Sequence, residues 1–413
     1  QSPQVAPLPP EPEGEAVSPR RPTQVDKYLR DTLKVKDLYE FNLTAAMYDK
    51  IQKASGRDTP TREFQRKFLS RSFSPSSEKT LGEVFRGLGR SKYNNVFVTG
   101  EPGVGKTHLT NQLISLFSFG IYPDTLKPLL GIREGSNQFA NVRKAFIGFD
   151  GNTDFIAINS ELFSHDYTEP GAMWSSEDVR IGVILKGLFK AAEKEFRQTG
   201  RRTVFLVDEI AAIPEKIRTP MINTLKTLAN YTGFKNPNDP FEKALDVGYS
   251  VVPLTTPTER RMMENGDAAN ARRYYDAQMR EPSEEETFNI ARTEADKVWE
   301  PTHGLKMDDA AIRLLIRMRQ ILQFPPEAMP GGILTAANDL YLWRAANGGA
   351  DSTDRITIKD AQEYVMVKAN RTPIWFEGPN GEAPAFDLEE RWNKLVIGQE
   401  DAIRQLAPGI KEW

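Results

Sequence analysis

The sequence predicts an α/β protein: a three-layer parallel sheet with helices on both faces, followed by a small α-helical lid domain. Three observations point there. First, Asn95-Val96-Phe97-Val98-Thr99, Phe155-Ile156-Ala157-Ile158-Asn159, Thr203-Val204-Phe205-Leu206-Val207 and Tyr249 to Leu254 are short apolar runs with almost no alternation. Strands buried on both faces have that pattern. Second, helical spacings separate these runs: Leu109, Leu113 and Leu116 after the first, and Ile181, Ile184, Leu185 and Leu188 in a long helix from Val179 to Phe196. Strands alternating with helices build a parallel sheet covered on both sides. Third, the strands stop after about residue 284, and Ala310 to Leu322, Gly332 to Ala345 and Thr357 to Val367 read as helices.

In chain order, residues 1–24 form a leader, with seven prolines between Pro3 and Pro22 and no apolar period. Such a segment is extended, and serves as a linker or as a ligand for a proline-reading domain. Residues 25–84 carry helical patterning: Tyr28, Leu29 and Leu33, then Leu38, Phe41, Leu43 and Tyr48. The α/β domain occupies 85–283, the lid 284–370, and 371–413 is a linker leading to the start of a possible second domain.

Composition narrows the chemistry. The chain has 413 residues, which at roughly 150 per domain suggests two to three domains. Lys plus Arg number 54 and Asp plus Glu 57, a net charge of −3, so no bulk positive charge argues for nucleic acid. There is no cysteine, which excludes disulfides, thiol nucleophiles and thiolate metal sites. A three-histidine metal site would need His108, His165 and His303 together. No apolar run has the length of a membrane span. The chain begins with Gln, as a processed chain would; a cytoplasmic location is expected, with a removed targeting segment left open.

The strongest local signal is Gly100-Glu101-Pro102-Gly103-Val104-Gly105-Lys106-Thr107, a full G-x-x-x-x-G-K-[ST] motif with a strand before it and a helix after it, and Gly100 through His108 are the expected nucleotide-binding residues. Glycines let successive backbone N–H groups converge on a phosphate, and the helix N-terminus adds its positive dipole end. Lys106 is placed to reach β- and γ-phosphates, and the Thr107 hydroxyl to hold Mg²⁺. The run ending at Val207 continues into Asp208-Glu209. Asp208 is placed for the Mg²⁺ shell, and Glu209 to orient and polarise a water for attack on a γ-phosphate. ATP and Mg²⁺ are the expected ligands.

These two motifs resemble those of AAA+ ATPases, and further segments narrow the resemblance to the first ATPase domain of Clp-type unfoldases and disaggregases. Arg90-Ser91-Lys92-Tyr93-Asn94-Asn95 ahead of the loop is similar to that family. So are Leu254-Thr255-Thr256, Asp267-Ala268-Ala269-Asn270-Ala271-Arg272-Arg273-Tyr274, Arg280 to Thr287, and Leu395-Val396-Ile397-Gly398-Gln399-Glu400-Asp401-Ala402-Ile403. The last looks like the entry to a second ATPase domain, so the chain reads as the first module of a longer protein or as a one-module protein with a vestigial tail. The resemblance implies that Thr255 is a sensor beside the γ-phosphate and the attacking water; the alternative is a Thr capping the following helix. It implies that Arg272 and Arg273 reach a neighbouring subunit's nucleotide; the alternative is a solvated basic pair. A trans-acting arginine implies a homo-oligomer, a hexameric ring by analogy.

The sequence also departs from that family. Where the substrate-threading loop carries Gly-x-Lys-Tyr-x-Gly, this chain reads Ser164-His165-Asp166-Tyr167-Thr168-Glu169. Tyr167 is the nearest counterpart of the gripping aromatic; Tyr167 and Trp174 serve equally as packing aromatics. Residues 72–80 replace the segment that flanks adenine, 129–154 are longer than the norm, and no arginine follows Met329-Pro330-Gly331-Gly332 at the second sensor place. The expected function is Mg²⁺-dependent ATP hydrolysis that drives unfolding or remodelling of a polypeptide substrate in a ring, as a chaperone does. Two other classes stand beside it: a nucleotide-dependent scaffold or assembly switch, and a nucleic-acid-handling AAA+ ATPase. Neutral charge and the lack of a basic, aromatic stripe weigh against the last, so no nucleic-acid partner is expected.

Overall fold

Five described strands form one parallel sheet in the order β2-β3-β4-β1-β5. They are β1 (Asn95–Thr99), β2 (Thr153–Ile158), β3 (Arg202–Val207), β4 (Tyr249–Thr255) and β5 (Tyr274–Gln278). The structure is a computed structural model and describes residues 21–70, 75–90, 93–120, 153–163, 176–208, 210, 213–229, 248–266, 272–347 and 355–369. Every residue of β1, β3 and β4 is buried, which is why their sequences show no alternation. The fifth strand was not expected. It lies at the sheet edge with only Tyr274 and Ala277 buried, so Tyr-Tyr-Asp-Ala-Gln lacks the apolar run that marks its neighbours.

Helices α1 (Gln24–Lys27), α2 (Leu43–Ser55), α3 (Arg62–Ser70) and α4 (Pro75–Leu88) precede the sheet. Helices α5 (Lys106–Phe119), α6 (Glu177–Thr199), α7 (Glu215–Ala229) and α8 (Pro257–Gly266) alternate with the strands. One compact unit holds the residues up to Glu101 and Lys106–Arg280. The segment before β1 is built into it. Thr23 and Asp26 form a capping box, and the Asp26 carboxylate accepts from the Asn42 amide at 2.6 Å. The Phe41 carbonyl accepts the Ala157 N–H at 2.8 Å, and the Thr44 hydroxyl accepts the Phe155 N–H at 3.0 Å. Residues 41–44 thus cover the outer edge of β2, which would otherwise present unpaired backbone groups. On the other side, the Gln24 N–H donates to Glu195 of α6, and Val25, Leu29 and Leu33 enter the core.

The second unit comprises Pro102–Gly105 and the residues from Glu281 on. Its helices are α9 (Glu284–Glu294), α10 (Glu300–His303), α11 (Asp309–Leu322), α12 (Gly331–Asn347) and α13 (Ile358–Lys368). They pack around Phe288, Ile312, Leu315, Leu340, Tyr341 and Tyr364. The expectation that strands stop after residue 284 needs correction. Lys306–Met307 and Arg355–Ile356 form a two-stranded parallel pair, β6 and β7, pinned by an ion pair between Arg355 and Asp308. Strands of two residues are too short to leave any periodicity. No described helix is long and apolar enough to cross a membrane.

Candidate functional site

All strands of the sheet are parallel, so their carboxyl ends share one side, where α/β sheets bind ligands. There β1 and β4 stand in register, Thr99 opposite Thr255, and the Gly100 N–H donates to the Thr255 carbonyl at 3.1 Å. This bond carries the pairing one residue past β1 and anchors the start of the Gly100–Thr107 loop. Gly103 and Gly105 have φ of +86° and +98°, a backbone that side chains rarely adopt. Val104 between them is buried, whereas Glu101, Pro102 and Gly103 are exposed. Lys106 opens α5, and its ammonium folds back over the loop, donating to the carbonyls of Gly100 at 2.7 Å and Glu101 at 3.1 Å. Thr107 and His108 are exposed in the first turn. The buried row Leu109, Leu113 and Leu116 fixes the helix against the sheet and so sets the direction of its first turn. Within the second unit, the Ala328 and Gly331 N–H groups donate to the carbonyls of Pro102 (3.2 Å) and Gly103 (2.9 Å).

Asp208 follows the last residue of β3 and is half-buried. Glu209 and Tyr167, with 121–152 and 371–413, lie outside the described residues. Thr107 and Asp208 supply hydroxyl and carboxylate oxygens, the hard donors that Mg²⁺ takes. Among the described residues no group of three or more His, Asp or Glu converges as a metal cage.

Thr255 ends β4 with its side chain engaged. Its hydroxyl donates to Glu259 Oε2 at 2.5 Å, and the Thr256 N–H donates to the same oxygen at 2.9 Å. Both readings of this threonine bear on what is seen: it lies beside the loop, and it bonds to the first turn of α8. Burial pushes the Glu259 carboxyl up, but the bonds from Thr255 and Thr256 and the charge of Lys106 outweigh this and hold it below its ordinary value. Glu259 was missed in the sequence. The Thr256-x-x-Glu259 spacing around Pro257 was the available signal, a capping box with Pro at the first helical position.

Arg272 and Arg273 lie elsewhere. They precede Tyr274, which pairs with Asn95 at the amino end of β1. A five-residue strand spans roughly 16 Å, so both arginines begin that far from the loop of their own chain. The two also differ from each other. Arg272 is exposed. Arg273 is half-buried, its carbonyl accepts from the Asn95 amide at 3.3 Å, and its Nη1 is buried with no hydrogen-bond partner. The structure therefore brings the loop, Lys106 and Thr255 together, adds the unpredicted Glu259, and sets the arginine pair apart.

No family model matches the chain. Solved structures do resemble it. A closed state of Hsp104 with ATPγS and FITC-casein is 19% identical, with a TM-score of 0.52 over 81% of this chain and 48% of that one. The Saccharomyces cerevisiae Hsp104–ADP complex is 18% identical, with a TM-score of 0.55 over the same shares. The S. cerevisiae Hsp104–casein complex in its extended conformation is 17% identical, with a TM-score of 0.52 over 84% and 51%. This chain spans about half the length of the structures it matches. Its parallel sheet, the motif loop after β1 and this likeness agree on one conclusion: the chain has a P-loop NTPase fold, the fold seen in the Hsp104 structures.

Proposed function

We propose that this chain is a Mg²⁺-dependent ATPase of the Clp type that remodels polypeptides within an oligomeric ring, most simply a hexamer. The observation that carries this reading is the Gly100–Thr107 loop, with two positive-φ glycines, an exposed tip and Lys106 folded over it, at the carboxyl end of a parallel sheet. In this reading, loop N–H groups and the start of α5 bind the phosphates, and Lys106 leaves its two carbonyls to neutralise β- and γ-oxygens. Thr107 and Asp208 would hold Mg²⁺, which would supply Lewis-acid stabilisation of the phosphoryl charge. Glu209 orients and polarises the attacking water, and Thr255 lies beside it. Arg272 acts on the nucleotide of a neighbouring subunit. Its exposure and its place at the amino end of β5 support action between chains rather than within one. Of the pair it is the better finger, because the Arg273 guanidinium is partly buried. The Hsp104 structures with casein support a polypeptide substrate for this chain, and Tyr167 is the residue the sequence offers to grip it.

Steady-state ATP hydrolysis by this chain, with and without a permanently unfolded protein, tests the reading. Turnover that requires Mg²⁺ and rises with unfolded protein is expected. Turnover indifferent to polypeptide would favour a nucleotide-dependent assembly switch, and no turnover at any chain concentration would refute the assignment.

A further inference from the structure

The Thr255–Glu259 contact has a direction. A hydroxyl carries one proton and two lone pairs, whereas an ionised carboxylate can only accept. The Glu259 carboxylate is kept ionised by its surroundings, so the proton between the two oxygens, 2.5 Å apart, comes from Thr255. The arrangement is also braced. The Thr256 N–H donates to the same Oε2 at 2.9 Å, and the Glu259 N–H returns a bond to the Thr256 hydroxyl at 3.3 Å. This is a complete capping box that has recruited a second threonine.

We infer that Glu259 is a positioning residue that sets the hydrogen-bond polarity of Thr255: the Thr255 proton is committed to Glu259, so toward the nucleotide Thr255 offers lone pairs only. Its partner there is a donor, namely the water that attacks ATP or the Lys106 ammonium. An anionic phosphoryl oxygen is not its partner. This deepens the proposed ATPase reading and rests on it. The chemical consequence is a division of labour. A threonine that donates to the γ-phosphate adds to the affinity for a triphosphate over a diphosphate. A threonine that accepts from water orients that water and adds to turnover alone.

Equilibrium titrations with ATPγS and with ADP, on the 413-residue chain, separate the two. Thr255→Val should leave the ATPγS-to-ADP affinity ratio within about twofold of the parent. Glu259→Ala should free the Thr255 proton and raise that ratio on the order of tenfold, the scale of a hydrogen bond to a charged group. The gain should vanish in the Thr255→Val/Glu259→Ala double variant. Glu259→Gln, which keeps an acceptor oxygen for both donors, should leave the ratio as it is. Without nucleotide, Thr255→Val and Glu259→Ala each break the same bond, so the double variant should unfold at nearly the urea midpoint of the weaker single one.

Loss of ATPγS affinity in Thr255→Val with ADP affinity intact would overturn the inference and leave the ATPase reading standing. So would an unchanged ratio in Glu259→Ala, or additive effects in urea. Should Glu259→Ala fail to fold, the Thr255→Val ratio decides by itself. A parent chain that binds neither nucleotide would overturn both readings.

Discussion

Replacing Gly187 by alanine sets two well-understood effects against each other. In an ordinary helix interior this change stabilises by about 1 kcal/mol, because glycine gives up the most backbone freedom. Gly187 is in the middle of α6, but a Cβ there would come within 2.1 Å of the Tyr28 Oη and 2.3 Å of its Cζ. Tyr28 lies against this spot with its hydroxyl bonded to the Ile184 carbonyl at 3.3 Å. The added methyl must displace the ring. Overpacking typically costs about 1–3 kcal/mol, and the lost hydrogen bond about 1 kcal/mol more. The clash therefore wins, with a net loss of about 1–3 kcal/mol. For a unit of this size that lowers the melting temperature by roughly 2–10 °C. In a Tyr28→Ala background the obstacle is gone, and Gly187→Ala should stabilise by about 0.5–1 kcal/mol. The assay is a double-mutant cycle by denaturant unfolding, and the reversal of sign is its signature. Equal effects of Gly187→Ala with and without Tyr28 would refute the docking of residues 24–33 on α6.

Three further outcomes follow from the site and its supports. Asn95→Ala should cost about 2–4 kcal/mol in chemical denaturation, because Asn95 bonds the Val251 N–H at 2.9 Å and the Arg273 carbonyl, and its removal leaves buried backbone groups unpaired. Lys106→Ala should weaken binding of a fluorescent ATP analogue at least tenfold, through loss of a phosphate-facing cation; unchanged affinity would remove the loop from the site. Arg272→Ala, exposed in the chain, should shift stability by less than about 0.5 kcal/mol while slowing hydrolysis on the order of 10³-fold. Mixing it with Glu209→Gln chains should restore turnover where intact halves meet, and mixed rings without recovery would refute a trans-acting arginine.

What the sequence disclosed and what it hid follow from burial. The interior strands β1, β3 and β4 are buried along their whole length, so each carries an unbroken apolar run that marks it in the sequence. The edge strand β5 is half-exposed, and β6 and β7 rest on two residues each. The Gly100–Thr107 loop was legible because its chemistry demands fixed residue types at fixed spacing. Glu259 and Asn95 were not, because what matters is a partner. Glu259 matters through Thr255, next to its own capping threonine, and Asn95 through Val251, 156 residues away in sequence. The amino-terminal segment hid for the same reason: Leu29 and Leu33 announce a helix but not the face of α6 that receives it.

The central claim, that ATP is hydrolysed at the loop with Glu209 as the group that polarises water, is tested most directly by pairing ATP binding with single-turnover hydrolysis in Glu209→Gln. The amide keeps the shape of the side chain and loses its basicity. Binding equal to that of the parent, with hydrolysis slowed on the order of 10²-fold or more, is the predicted result. Parental turnover in Glu209→Gln would contradict it.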